Sequence, residues 1–162
     1  MIFRGEREKS VVPVQRSSIK WLRRLIGPAF IFYSAAVIYW MFIGFGREIH
    51  TGGILKYNLV PLRTVLLFLN LDNGVALTDR IINLIGNIVV FIPFGFMLPL
   101  IRNRLYSLTR LTLYAIFIIL ILEMMQMLLH VGSFDVDDLL LNMVGVWAGY
   151  RILRFSKMNS EV

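Results

Sequence analysis

Cysteine is absent from this chain of 162 residues, and histidine occurs only twice. These absences exclude disulfide bonds and zinc or redox sites that are built on cysteine. Charge is scarce as well, since 17% of the residues are charged whereas 57% belong to the hydrophobic set. Because soluble domains carry more charge than this, the composition indicates a single-domain membrane protein whose first partner is the lipid bilayer.

Acidic residues are the scarcer charged class, with ten Asp and Glu against 17 Lys and Arg. A positive surplus can indicate nucleic-acid binding, but so apolar a chain leaves no soluble domain to carry a groove-reading element, and we expect no nucleic-acid partner. The basic residues instead sort by segment: seven lie in residues 1–24, three in 102–110 and three in 151–157. The positive-inside rule then predicts a multi-pass protein of the bacterial cytoplasmic membrane with both termini in the cytoplasm.

Four apolar stretches are long enough, or nearly long enough, to cross a hydrocarbon core that needs about 20 helical residues. They cover residues 25–46, 81–101, 111–129 and, more briefly, 139–150. The predicted fold class is an all-α integral membrane protein, a bundle of four transmembrane helices. The chain divides into a basic cytoplasmic tail (1–24), a four-helix membrane domain (25–155) and a cytoplasmic C-terminal tail (156–162).

Two local features interrupt this pattern. Residues 59–71 are mostly apolar but too few to span a bilayer, so they predict a short interfacial or re-entrant helix between the first and second spans. A loop segment packed on top of the bundle is an equally open interpretation. Pro93 and Pro99 each remove a backbone hydrogen bond from the second span, which predicts a kink or a broken end there.

Three polar residues fall at the same predicted depth. Glu123 and Asp138 each lie thirteen residues from an arginine that marks the cytoplasmic interface, and Asn87 lies fifteen residues from another. At about 1.5 Å per residue, all three come out roughly 20 Å above that interface, within the outer leaflet. An ionised carboxylate at this depth costs several kcal/mol unless it is paired or hydrated, so Glu123 is the strongest functional signal in the sequence.

Helical spacing places these residues on polar stripes that should face one another and line an outward-facing funnel. The predicted ligand-binding set is Glu123, Gln126, Asp135, Asp138, Asn142, Asn83, Asn87 and Arg80, with Asp137 as a further wall of the funnel. Plainer interpretations stay open, because an aspartate can cap the fourth helix and the asparagines can simply join helices. Gly145 and Gly149 suit close packing within the bundle or a dimer.

Three blocks of the chain resemble the signature blocks of the VanZ-like family of bacterial integral membrane proteins: NLVPLRTV, NLIGNIVVFIPFGFMLP and LEMMQMLLHVGSFDVDDLLLNMVGVWAGY. The resemblance covers roughly residues 57–152. The family's pattern falls on every residue of this set except Asp137 and Arg80. Relatives often carry an arginine just before the Phe-Asp pair, where this chain has Val131, Gly132 and Ser133. Arg80 or Arg63 therefore becomes the candidate charge partner of the acids.

The namesake of the family is associated with low-level resistance to the glycopeptide teicoplanin. The resemblance therefore implies a cell-envelope protein that lowers glycopeptide susceptibility through a pocket binding a surface ligand, such as a lipid-linked cell-wall precursor or the antibiotic. We expect no cofactor and no metal. The protein is interpreted as non-enzymatic or of an activity that the sequence does not assign, because no set of nucleophile, base and orienting residue is visible. The first alternative is an enzyme acting on a lipid-linked head group, with carboxylates as acid, base or Mg²⁺ or Ca²⁺ ligands. The second is a small transporter, although four short helices offer no inverted repeat.

Overall fold

Helices make up most of the computed structural model, which describes residues 16–44 and 54–158. The elements in chain order are α1 (Arg16–Phe42), β1 (Tyr57–Asn58), α2 (Arg63–Leu69), α3 (Leu77–Ile81), α4 (Asn87–Ile101), α5 (Leu108–Leu128), β2 (Phe134–Asp135) and α6 (Val136–Met158). Two further short segments join the helices: a π-helical turn, Ile82–Gly86, links α3 to α4, and a 3₁₀ turn, Asn103–Tyr106, precedes α5. The two-residue strands β1 and β2 pair in parallel, with Asn58 opposite Asp135.

Three helical segments are long and apolar enough to cross a membrane: Arg24–Phe42, Leu77–Ile101 and Leu108–Leu128. Between 6% and 28% of the residues in these spans are buried inside the protein, so their apolar side chains lie mainly on the outer surface. Such a surface suits lipid, where an exposed apolar side chain costs nothing. A mostly helical fold and three of the predicted spans are therefore confirmed at the level of length and composition.

The predicted fourth span differs from the helix that is formed. Residues 139–150 were the expected span, whereas α6 runs from Val136 to Met158, with Asp137 and Asp138 in its first turn and Lys157 in its last. α6 is not among the three candidate spans. It packs along α4 and buries Met143, Val146 and Leu153.

Glycines allow α4 and α6 to approach until their backbones touch. A Cβ atom on Gly145 would lie 2.1 Å from the Ile88 carbonyl oxygen, and one on Gly149 would lie 1.9 Å from the Ile92 carbonyl oxygen. The close packing predicted for this glycine pair is thus confirmed, and it occurs within the bundle. Gly95 on α4 likewise allows close contact with α6, because a Cβ atom added at this position would lie 1.9 Å from the carbonyl oxygen of Val146.

A departure from regular helix geometry lies before α4. The helix continues through Pro93 and Pro99 and ends at Ile101, two residues after the second of them. The π-helical turn Ile82–Gly86 instead interrupts the regular helix. A π turn holds one residue more than an α turn, so it rotates the preceding side chains by about 100° relative to those that follow.

The chain between α1 and α3 contains the predicted short helix. α2 is only seven residues long, and none of its residues is buried. The N-terminal boundary of the bundle also shifts, because α1 begins at Arg16, inside the predicted tail. The predictions for residues 1–15, 45–53 and 159–162 lie outside the described residues.

Candidate functional site

Asp137 caps α2 from a distant part of the chain. Its Oδ1 accepts a hydrogen bond from the amide of Leu62 (2.5 Å), and its Oδ2 accepts bonds from the amides of Thr64 (2.7 Å) and Val65 (3.1 Å). The start of a helix presents unsatisfied N–H groups and a partial positive charge, so a carboxylate there is stabilising. α2 has no side-chain cap of its own, because Leu62 occupies the cap position with a left-handed φ of 66°. Asp137, which is fully buried, supplies the missing acceptor.

Asp135 completes the same arrangement on the other side of the loop. Its Oδ1 accepts hydrogen bonds from Asn58 Nδ2 (3.0 Å) and from the amide of Asp137 (2.8 Å), and its Oδ2 accepts one from Thr64 Oγ1 (2.6 Å). Every carboxylate oxygen of Asp135 and Asp137 is therefore occupied by a donor from the protein. We call Asp135, Asp137, Asn58 and Thr64 the acid lock, because together they fasten β1 and α2 to the start of α6.

The acid lock changes the interpretation of two predicted funnel residues. The sequence predicts a capping role for one aspartate on α6, and Asp135 fills it, because its Oδ1 accepts the amide of Asp137 in the first turn of α6. Asp137 in addition caps α2, so both acids are engaged in structural hydrogen bonds. The sequence signal for this role is the apolar residue Leu62 at the cap position of α2, which leaves the helix in need of an outside acceptor.

Arg80 holds the loop between α2 and α3. It is 4% exposed, and its guanidinium donates to the carbonyl oxygens of Val75 (3.0 Å), Phe68 (2.6 Å) and Asn70 and to the side-chain oxygen of Asn73. The expectation that Arg80 pairs with the acids is therefore wrong for the described residues. The π turn that follows it supplies the reason, since this turn rotates Arg80 away from the face of α4 that carries Asn87.

We predict that Arg80→Lys loosens residues 68–75 without unfolding the bundle. A lysine ammonium cannot reproduce the forked geometry that reaches four acceptors, and each buried carbonyl left without a donor costs about 1–3 kcal/mol. Hydrogen exchange measured by mass spectrometry should show faster exchange in this loop. The matched control is Arg63→Lys, because Arg63 is exposed. Equal exchange in the two variants would contradict the anchoring role.

Asp138 and Asn87 join α6 to α4. Asn87 Nδ2 donates a 2.6 Å hydrogen bond to Asp138 Oδ1, and Asp138 is only half-buried. One helical turn further along the same face of α6, Asn142 is 1% exposed. The facing arrangement predicted for these stripes is therefore confirmed for α4 and α6.

Glu123 and Gln126 continue the buried face of α5. This face begins with Leu111, Ala115 and Ile119 and ends with the two polar residues, which are 2% and 5% exposed. Gln126 Nε2 donates to the Met41 carbonyl oxygen at 2.9 Å, which ties α5 to the end of α1. The inward orientation predicted for this stripe is confirmed.

Asn83 does not join this group. It lies within the π turn, is partly exposed, and donates to the carbonyl oxygen of Asp79 at 2.8 Å.

A cleft of about 230 Å³ runs between α1 and the helix of α3 and α4, and it is lined by Trp40, Gly86 and Asn87 among others. The site around Asn87 is therefore approached from between the helices, beside the π turn.

A metal centre was considered for the carboxylates. Among residues 24–44 and 54–158, no three His, Cys, Asp or Glu side chains come together as a group that could hold a metal ion. The acids of the lock are engaged by N–H and O–H donors instead.

Comparison with known proteins decides the family. A family model described as VanZ/LLP1 matches residues 30–157. The chain belongs to this family. Neither the curated proteins nor the solved structures contain a match. The VanZ/LLP1 match includes α4 and α5 in full and α6 up to residue 157, together with the acid lock and the polar residues on the inward faces.

The positions at which this chain resembles the family's signature blocks serve three separable roles in the structure. Asn58 and Asp135 belong to the acid lock, and Gly145 and Gly149 bring α6 against α4. Apart from Asn83, which donates to the Asp79 carbonyl oxygen, the remaining polar positions are Asn87, Glu123, Gln126, Asp138 and Asn142. We call these five residues the inner polar group, and they are the candidate functional site.

Proposed function

We propose that this VanZ-family protein lowers susceptibility to teicoplanin-type glycopeptides by binding a cell-surface ligand at the inner polar group. A lipid-linked cell-wall precursor or the antibiotic itself has the hydroxyl, amide and anionic groups that such a site can recognise. The observation that carries the proposal is Asn142, whose side-chain oxygen has no hydrogen-bond partner among the described residues although the residue is 1% exposed. A buried acceptor left without a donor costs about 1–3 kcal/mol, so it calls for a donor from a ligand or water.

Three further features support this proposal. Glu123 is buried on a helix apolar enough to span the membrane, where a carboxylate is costly and is usually functional. Asp138 is half-buried next to Asn87, which lines the cleft between α1 and α4. A ligand carried by a lipid could therefore reach the site sideways from the bilayer.

The proposal includes four membrane crossings, with both termini in the cytoplasm and the inner polar group towards the outside. α6 has 23 residues and is therefore about 34 Å long, enough for a hydrocarbon core of about 30 Å. The basic residues near both ends of the chain and in the turn before α5 support this orientation. α2, seven residues long and not buried, would then lie in the outer interface.

The test is a teicoplanin susceptibility assay in a sensitive bacterial host that expresses the chain. Glu123→Gln and Asp138→Asn keep the side-chain volume and remove the charge, so we expect each to reduce the tolerance to that of the host without the gene. The matched control is Asp72→Asn, because Asp72 is an exposed loop acid. Membrane levels are measured for every variant, because a folding defect would lower tolerance for a different reason.

Two results would count against the proposal. Unchanged tolerance in the Glu123 and Asp138 variants at normal membrane levels would remove the inner polar group from the account. No tolerance with the unaltered chain would show that this member acts on a different ligand.

A further inference from the structure

A second candidate binding site lies at the other end of α6 from the acid lock. A groove of about 540 Å³ runs between Leu108, at the start of α5, and the last turns of α6, where Trp147, Arg151, Arg154 and Phe155 line it. This volume falls within the range of about 300–1,000 Å³ that ligand pockets occupy. The groove is thus large enough to hold part of a lipid.

The last turns of α6 are held in place and do not project freely. Tyr150 Oη donates a 2.8 Å hydrogen bond to the carbonyl oxygen of Tyr106, and the Lys157 ammonium lies 4.3 Å from the centre of the Tyr106 ring. Leu153, on the same face, is 3% exposed. The adjoining face, which carries Trp147, Arg151 and Arg154, is therefore presented at a fixed angle.

Within the described residues, the two arginines of this groove have no acidic partner. Neither guanidinium forms a hydrogen bond or ion pair with another residue in those parts of the chain. No Asp or Glu occurs in residues 102–122 or 139–158. Two cations three residues apart on one helix therefore present charge that no described acid complements and that an anion can bind.

The walls beside these cations are apolar. Phe155 is 66% exposed and Met158 is 64% exposed, while the Trp147 indole N–H donates to Thr112 Oγ1 at 3.0 Å, which fixes the ring. Exposed apolar side chains next to unpaired guanidinium groups match a molecule with an anionic head and an apolar tail. Basic pockets at the ends of membrane helices bind anionic lipid head groups in this manner.

We propose that the groove binds one anionic phospholipid, with its phosphate held by Arg151 and Arg154 and an acyl chain lying against Trp147 and Phe155. The site is separate from the inner polar group and does not depend on the function proposed for it. Arginine suits the role because its planar fork can contact two phosphate oxygens at once.

Quenching of Trp147 fluorescence by brominated lipids tests the proposal. The full chain carrying Trp21→Phe and Trp40→Phe, which leaves Trp147 as the remaining tryptophan, is placed in vesicles that contain brominated phosphatidylglycerol or brominated phosphatidylcholine. We expect brominated phosphatidylglycerol to quench the Trp147 fluorescence at a lower mole fraction than brominated phosphatidylcholine does. Each arginine should contribute about fivefold to this preference, the equivalent of about 1 kcal/mol. Arg151→Gln with Arg154→Gln should therefore remove most of it.

The matched control is Arg104→Gln with Arg110→Gln, which removes the same charge from the same end of the bundle but leaves the groove lining intact. This pair should keep most of the preference. Equal loss in the two double variants would reduce the effect to surface charge and overturn the proposal. Equal quenching by both lipids in the parent chain would do the same. Displacement of the lipid by soluble polyglutamate would also overturn the proposal, because it would favour an acidic protein as the partner of the groove.

Discussion

Replacing Asp137 by alanine is expected to destabilise the bundle by about 2 kcal/mol, because three amides at the start of α2 lose their acceptor and the loss of a helix cap costs about 0.5–2 kcal/mol. This is a substantial share of the roughly 5–15 kcal/mol that holds a domain together. Asp137→Asn keeps one acceptor oxygen and should fall between the parent and the alanine variant. Thermal unfolding in detergent, together with the level of protein in membranes, measures the effect.

Asp72→Ala provides the control for this prediction, because it removes an exposed acid from a loop. Its unfolding temperature should stay close to that of the parent. The acid lock would be refuted as a source of stability if the Asp137 and Asp72 variants unfolded at the same temperature. Loss of ligand binding with unchanged stability would instead assign Asp137 to the functional site.

Gly149→Ala is expected to disrupt the contact between α4 and α6, and Gly149→Leu to prevent folding. The added Cβ would lie 1.9 Å from the carbonyl oxygen of Ile92, a backbone atom that cannot rotate away. Extra methylene groups in a packed core cost about 1–3 kcal/mol when side chains can move, so the cost here should exceed that range. Folded yield after extraction and size-exclusion chromatography would measure the loss.

Gly27→Ala tests whether the effect comes from the contact or from losing any glycine. A Cβ on Gly27 meets no atom within 4 Å, and alanine favours a helix by up to about 1 kcal/mol over glycine. This variant should be as stable as the parent or slightly more so. If Gly149→Ala were also as stable as the parent, this result would contradict the close approach of α4 and α6.

Periodicity predicted the inner polar group well. Glu123, Gln126 and Asn142 were assigned to inward faces from helical spacing alone, and all three are at most 5% exposed. The lengths of the apolar stretches likewise predicted three of the spans. These properties are local, because a regular helix fixes the direction of each side chain relative to its neighbours.

The acid lock and the role of Arg80 could not be predicted in this way. Asp137 binds the amide of Leu62 across 75 positions of sequence, and no local pattern specifies such a partner. Arg80 and Asn83 were placed on one stripe with Asn87 by assuming a regular helix. The π turn Ile82–Gly86 breaks that assumption, and the three side chains consequently have different environments.

The acid lock also has a consequence for biogenesis. Its donors on β1 and α2 are synthesised long before Asp135 and Asp137, with α4 and α5 in between. The start of α2 therefore stays without its cap until the first residues of α6 have left the ribosome. The hydrogen bonds can form only if α4 and α5 return the chain to the side from which it left. Closure of the lock thus favours an even number of crossings between residues 65 and 134, and a hairpin inserted in any other way would leave α2 uncapped.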